Sequence, residues 1–296
     1  MCTILKVTLS IYMFDWFKYF DFPAWFPENV STFGAELDGM FILIWYICVA
    51  IFILTYALLI YFLIKYREKP GVRAIGYHGN NMLEFTWTIL PTFLFAGLGI
   101  YTDSAWEKTK NVSHIPKPDV TIDVMGQQFN WVYRYPGADG ILGRRAPEFK
   151  TNDNIFGVDP KDEHGKDDFV IETEMHLPIN KNILVNLSAK DVLHSFFLPN
   201  FRVKQDALPG SWMKVWFNGT KAGKYEIACA ELCGASHYNM RGLLYMHSLD
   251  DYNKWYDEQT KAKSEQLAQA LGTTAPTADT TATPAVTAGG TTEHGK

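Results

Sequence analysis

GMFILIWYICVAIFILTYALLIYFLI, residues 39–64, contains no charged side chain. A helix of about 20 residues crosses the hydrocarbon core of a bilayer, so this stretch is predicted to span a membrane. A second apolar run, FTWTILPTFLFAGLGIY at residues 85–101, is close to the lower limit of roughly 17 residues. A buried helix of a soluble domain would have a similar composition, but its place just after a long span points to a transmembrane hairpin over residues 39–102. The loop between the runs carries Lys65, Arg67, Lys69 and Arg73 against one acid, Glu68. The positive-inside rule puts that loop in the cytoplasm. Both termini, and everything beyond about Thr102, are then expected on the periplasmic side.

Upstream, residues 1–38 are apolar from Thr3 to Phe14 but are soon interrupted by Asp15, Lys18 and Asp21, with no A-x-A-like cleavage site. Trp16, Phe17, Phe20, Phe22, Trp25 and Phe26 suggest an aromatic segment lying at the membrane interface. Cys2 is assigned no role. Apolar residues make up 47% of the chain and aromatic residues 15%, ample for a core. The net charge of −5 fits an exported domain meeting basic partners, and no nucleic-acid partner is expected.

Downstream, the apolar pattern changes period. Val120, Ile122 and Val124 alternate with Thr121 and Asp123, and Ile183, Val185 and Leu187 alternate with Asn186 and Ser188, as half-buried strands do. Residues 169–175, 212–217, 224–229 and 243–247 are further strand candidates. Six or seven short strands separated by Gly and Pro predict a small antiparallel sandwich or barrel over residues 103–249. No helical crossover supports a parallel sheet. Residues 137–168, rich in Gly, Pro, Asn, Asp and Lys, read as a long loop or insertion whose charges are solvated. Residues 250–271 hold good helix formers and are expected to form a surface helix. Residues 272–296 are almost entirely Thr, Ala, Pro and Gly, a composition expected to stay disordered.

The densest chemistry is CAELCGASHYNM, residues 229–240. Cys229, Cys233, His237 and Met240 are soft or borderline donors of the kind that favours copper over oxygen-seeking cations. Cys229 ends a predicted strand, and the loop must curl back to bring Cys233 beside it, with Gly234 easing the turn. A further donor must come from elsewhere, and His194, at a strand end in DVLHSFFLP, is the candidate. Two thiolates can each bridge two copper ions, leaving His194, His237, Met240 and a carbonyl oxygen as terminal ligands. Such a pair suits one-electron transfer, because sharing the charge change keeps reorganisation small. Three alternatives stand beside it. They are a disulfide in an oxidising compartment, a zinc site that would leave Met240 superfluous, and a single-copper site that needs only one Cys.

DVLHSF (191–196), KQDALPG (204–210) and the spacing C-x-E-x-C-G-x-x-H-x-x-M resemble subunit II of haem-copper cytochrome c oxidases, over about residues 39–250. The resemblance implies a cupredoxin-like β domain with a dinuclear, mixed-valence copper centre. Its ligands would be His194, Cys229, Cys233, His237, Met240 and the backbone carbonyl of Glu231, whose side chain would reach a magnesium ion shared with subunit I. Through NMLEFTWTILP (81–91) it also implies that Glu84 stands at the entrance of a proton path into subunit I. On spacing alone, Asn81 and Glu84 equally match a helix capping box.

The family's aromatic GxQWYW segment reads GQQFNW here, so Phe129 and Trp131 are the electron-uptake candidates. The departure puts uptake from a free soluble cytochrome c in doubt and makes a tethered or supercomplex-bound c-type cytochrome an alternative donor. The implied partners are subunit I, other oxidase subunits and membrane lipid, in a bacterial inner membrane. A quinol oxidase subunit would lack the copper ligands, and a membrane-anchored copper chaperone is the alternative reading. No C-x-x-C-H motif marks a fused haem domain. Lys204 and Asp206 match a subunit I interface or a simple turn ion pair. Cys48 reads as a small apolar residue of the first span. His78, His114, His164, His176 and His247 sit in no motif and read as surface or satisfied histidines.

Overall fold

The computed structural model describes residues 27–73, 76 and 79–270. The expected interfacial aromatics up to Phe26, the Thr/Ala-rich tail, Cys2 and His78 lie outside the described residues. The described chain forms two units, residues 33–114 and residues 27–32 with 115–270.

The first unit is a pair of helices, α1 (Gly34–Lys65) and α2 (Asn81–Lys110), both long and apolar enough to cross a membrane. Gly39, Met40, Ile42 and Ala105 are buried, and Lys108 Nζ of α2 lies 2.9 Å from Glu36 Oε1 of α1. Ile51 to Ile64 of α1 remain exposed, and their apolar surface is left for lipid or another protein to cover. The cap of α2 falls one residue earlier than the capping-box spacing suggests. Asn80 Oδ1 accepts from the backbone N–H of Met82 (3.0 Å) and Leu83 (3.2 Å), which places Glu84 inside the first turn with its carboxylate exposed.

The second unit is a β-sandwich. Its strands are β1 (Val120–Gln127), β2 (Asn130–Tyr135), β3 (Phe169–Glu172), β4 (Glu174–Pro178) and β5 (Ile183–Ala189). β6 (His194–Leu198), β7 (Val203–Ala207), β8 (Met213–Phe217), β9 (Gly223–Cys229) and β10 (Arg241–His247) complete it. One sheet runs β3-β2-β1-β5-β8 and the other β4-β10-β9-β6-β7. Period-2 alternation sends Ile122, Val124, Trp131, Phe196, Ile227 and Leu244 to the interior, where none is exposed. Full burial of such a side chain stabilises the fold by roughly 1.5–3 kcal/mol. Trp131 of one sheet meets Phe196 of the other edge-to-face, with centroids 5.3 Å apart.

Within the β unit, the strand directions, one strand boundary and the insertion differ from the sequence expectations. β1 pairs parallel with β5, and β4 parallel with β10, because the chain leaves each sheet between the paired strands. Alternation specifies which face is buried and carries no information on strand direction. Residues 169–175 are two strands in different sheets, broken at Thr173, whose φ of 71° is left-handed. Its N–H bonds Trp131 O (2.9 Å) and its carbonyl accepts from Leu243 N (2.8 Å), so this one residue ties the two sheets together. The charges of residues 137–168 are also not simply solvated. Arg134, 1% exposed, pairs with Asp123 and with Asp168 (2.5 Å) and donates to Gly143 O (3.2 Å). Phe156 of the insertion joins Met125 and Val132 in a buried cluster.

Helix α3 (Leu249–Ala270) is capped by Ser248, whose hydroxyl accepts from Asp251 N (3.2 Å). It closes the end of the sandwich. Tyr256 donates to the carbonyls of Pro136 and Gly137 (2.8 and 2.9 Å), and Trp255 packs on Tyr135. Residues 27–32, expected within the interfacial segment, join the β unit instead. Buried Val30 donates to Asn200 O (2.9 Å) and accepts from Thr220 N (2.8 Å).

Candidate metal centre

Adjacent strands bring the first two donors together. His194 opens β6 and Cys229 closes β9, and the pairing of Phe196 with Cys229 fixes their mutual offset. Cys229 Sγ then lies 3.8 Å from His194 Nδ1. The following loop is closed by Ala230 N to Ser195 O (3.0 Å) and by Cys229 N to Met240 O (3.2 Å). Gly234 holds φ +137°, and a Cβ there would stand 2.8 Å from Gln128 Nε2 and 3.1 Å from the Phe129 ring, so glycine is required. Gln128 Nε2 donates to Cys233 O at 2.6 Å, anchoring the loop to the β1–β2 connection.

The sulfur atoms of Cys229 and Cys233 are 3.9 Å apart and both cysteines are free, which excludes the disulfide in this structure. Around Cys229 stand His194 Nδ1 and, at 3.2 Å, the carbonyl oxygen of Glu231. Around Cys233 stand His237 Nδ1 at 3.5 Å and Met240 Sδ at 3.7 Å. Each thiol thus has one imidazole nitrogen and one weaker donor, and the two sets share the sulfur pair. That donor chemistry fits two soft metal ions. A lone zinc would leave Met240 without purpose, and a single-copper site would leave one thiol surplus. Burial and the neighbouring Cys229 push the Cys233 thiol up to about 11, so a metal must displace its proton.

The groups behind the donors were not singled out by the sequence reading. Asp191 Oδ1 lies 2.8 Å from His194 Nε2, and its Oδ2 accepts from Gln128 N at 2.8 Å. This bond fixes Nε2 as the protonated nitrogen and leaves Nδ1 free to face the sulfur. Gly126 completes the seat, because a Cβ there would approach the Trp131 ring to 3.0 Å and the His194 ring to 3.1 Å. Asp191 lies three residues before His194 inside DVLHSF and Gln128 inside GQQFNW, so the signal was present but unweighted.

The two electron-uptake candidates occupy different environments. Trp131 is wholly buried, its ring centroid 6.1 Å from that of His194, whereas half-buried Phe129 lies against the metal loop at Gly234. Leu232 and Tyr238 are the exposed apolar residues of that loop. Glu84 belongs to the helical unit.

Comparison with known proteins gives matches to both parts of the chain. The family model for the cytochrome c oxidase subunit II transmembrane domain matches residues 21–102, and that for its periplasmic domain matches residues 120–245. The alternative cytochrome c oxidase subunit 2 of Bradyrhizobium diazoefficiens is 32% identical over 262 residues, covering 86% of this chain and 90% of that protein. Cytochrome c oxidase subunit 2 of Cereibacter sphaeroides is 32% identical over 260 residues, covering 83% and 82%. The crystal structure of the periplasmic domain of subunit II of cytochrome oxidase from Bradyrhizobium japonicum is 32% identical, covers 50% of this chain and 98% of that one, and superposes with a TM-score of 0.38. With both domain models matched in order and these relatives covered over more than four fifths of their length, this membrane-anchored chain belongs to the cytochrome c oxidase subunit II family.

Proposed function

We propose that the chain is the electron-receiving subunit of a haem-copper oxidase. It takes single electrons from a periplasmic c-type cytochrome and delivers them to haem in subunit I, where oxygen is reduced to water with proton pumping. The observation that carries this reading is the pair of donor sets built on one shared sulfur pair. Two copper ions held there by His194, Cys229, Cys233, His237, Met240 and the Glu231 carbonyl would supply one-electron chemistry with the charge change spread over both.

The chain's own residues provide the frame. Strands β6 and β9 fix His194 against Cys229, Asp191 orients the imidazole, and buried Trp131 and Phe196 keep water from that side. Phe129, Leu232 and Tyr238 offer the apolar contact for the donor cytochrome, whether free, tethered or in a supercomplex. The Glu231 side chain is assigned to magnesium at the subunit I boundary and Glu84 to the mouth of a proton path. The copper domain and both termini are assigned to the periplasmic side of a bacterial inner membrane. Other oxidase subunits and lipid cover the exposed faces of α1 and α2.

The test is copper stoichiometry with electron paramagnetic resonance on the full chain in detergent after copper reconstitution. Two coppers per chain sharing one unpaired electron are expected. A single copper, or a Cys229–Cys233 disulfide in folded protein, would overturn the reading.

A further inference from the structure

A second cluster of metal-binding side chains lies away from the thiol loop. His176 is on β4 and His247 is the last residue of β10, on the outer face of their sheet, where they alternate with buried Met175, Leu177, Leu244 and Met246. Arg241, next to Met240, starts β10, and six residues at about 3.3 Å each put His247 roughly 20 Å along the strand from the thiol loop. The two clusters are separate sites.

The geometry of the histidine pair is specific. His176 Nδ1 and His247 Nε2 are 2.9 Å apart, the ring planes differ by 7°, and the ring centroids are 5.2 Å apart. That centroid separation equals the nitrogen–nitrogen distance plus about one ring radius on each side. It is the longest separation such a contact allows, so the two nitrogens lie on the line joining the rings, and the rings meet edge to edge in one plane. Their lone-pair axes point at each other. With one proton between them this is an N–H···N hydrogen bond; with that proton shifted to the other nitrogen of its own ring it is a ready pair of collinear neutral imidazole donors.

The surroundings decide which ion such a pair takes. Glu174 approaches the opposite ring nitrogen, His176 Nε2, at 3.9 Å, and Asp251 is engaged by the Ser248 hydroxyl at 2.7 Å. Zinc, with its tetrahedral demand, and calcium or magnesium, with their oxygen ligands, are poorly served by two nitrogens in line. A monovalent d10 ion that accepts two-coordinate linear binding is served well, and imidazole is among the ligands copper takes. The His176 ring is held between Tyr245, with centroids 4.8 Å apart and planes at 8°, and Trp255, at 4.4 Å and 16°. Aromatic faces favour a nearby cation, and they lock the ring in place. Burial also keeps His176 neutral at pH 7, with the imidazolium favoured only near about 4.

The geometry points to a second soft-metal site in this chain, a linear bis-imidazole seat for monovalent copper formed by His176 and His247 under the Trp255 lid. With metal–nitrogen bonds of about 2.0 Å the two nitrogens must part to about 4 Å. His247, at the strand end before the Ser248 cap, supplies that movement while His176 stays clamped.

The experiment uses the full chain in detergent with C229S and C233S together, which removes the sulfur pair that the other donors of the thiol loop share. Anaerobic titration with Cu(I) under ascorbate, against a chromogenic Cu(I) chelator, should leave one copper per chain, with X-ray absorption showing two nitrogen neighbours and no sulfur. H247Q should abolish this retention with an unchanged near-ultraviolet circular dichroism spectrum, and H176Q should do the same where it folds. No copper retained by the C229S/C233S chain, equal retention by H247Q, or sulfur neighbours in the absorption spectrum would each overturn the site. Equal retention of Zn2+ lost in H247Q would overturn the linear, monovalent assignment.

Discussion

Replacing Asp191 by asparagine tests how far the copper centre depends on a residue that touches no metal. Asp191 accepts three bonds at once, from His194 Nε2 (2.8 Å) and the backbone N–H of Val192 (2.7 Å) on Oδ1 and from the backbone N–H of Gln128 (2.8 Å) on Oδ2. An amide has one acceptor oxygen, so in either orientation of the substituted side chain its NH2 group faces a donor. Either the His194 ring turns, or the β1–β2 connection that anchors the thiol loop shifts. Loss of such a partner to a ligating histidine costs about 10–100-fold in metal affinity, or about 1.4–2.8 kcal/mol. The midpoint potential should rise, because a neutral partner makes the imidazole a poorer donor to the oxidised metal. The assay is competition of the reconstituted full chain against a copper chelator, with a redox titration on the same sample. Affinity within about threefold of wild type in a folded D191N protein would refute the reasoning. It would show that Gly126 and Trp131 alone hold the His194 ring.

The remaining tests probe the frame around the site. R134M leaves Asp168 buried without its cation and Asp123 with only Arg145, 3.2 Å away, and should destabilise the β unit by about 3–5 kcal/mol in urea unfolding followed by Trp fluorescence; a loss below about 1 kcal/mol would mean the Arg134–Asp168 pair is dispensable. G126A should force apart the Trp131 and His194 rings and lower copper loading more than stability, read from copper content against melting temperature. Acid should weaken the packing of α3 through His176. Its folded-state value of about 4 lies below the free value of 6.5, so the unfolded chain binds the proton more readily. This contribution is intact above pH 6.5 and is lost as pH falls toward 4, about 2 kcal/mol after allowing for partial exposure. Asp168, pushed up to about 6 by burial, acts with the opposite sign over this window, so the measured quantity is the difference between wild type and H176Q, which keeps Asp168. Equal pH profiles for the two proteins would contradict the assignment.

Local features were legible in the sequence because their physics is local. An uncharged run at residues 39–64 must leave water whatever surrounds it, alternation at Val120–Val124 needs only one buried face, and four of the candidate side-chain donors lie within residues 229–240. Features that depend on register between distant strands were legible only in part. His194 was a reasoned candidate, yet what seats its Nδ1 beside Cys229 is the pairing of β6 with β9, and what turns the ring is Asp191.

Composition and short spacing therefore pointed to the candidate donors, to their soft-metal chemistry and to the two membrane-spanning helices. Tertiary structure decided the parallel pairings of β1 with β5 and β4 with β10, the burial of Arg134 beneath residues 137–168, and the meeting of His176 with His247. Backbone hydrogen bonding between strands carries no sequence label for direction or partner, and a buried ion pair or an imidazole pair exists only once the whole sandwich has brought its members to within bonding distance.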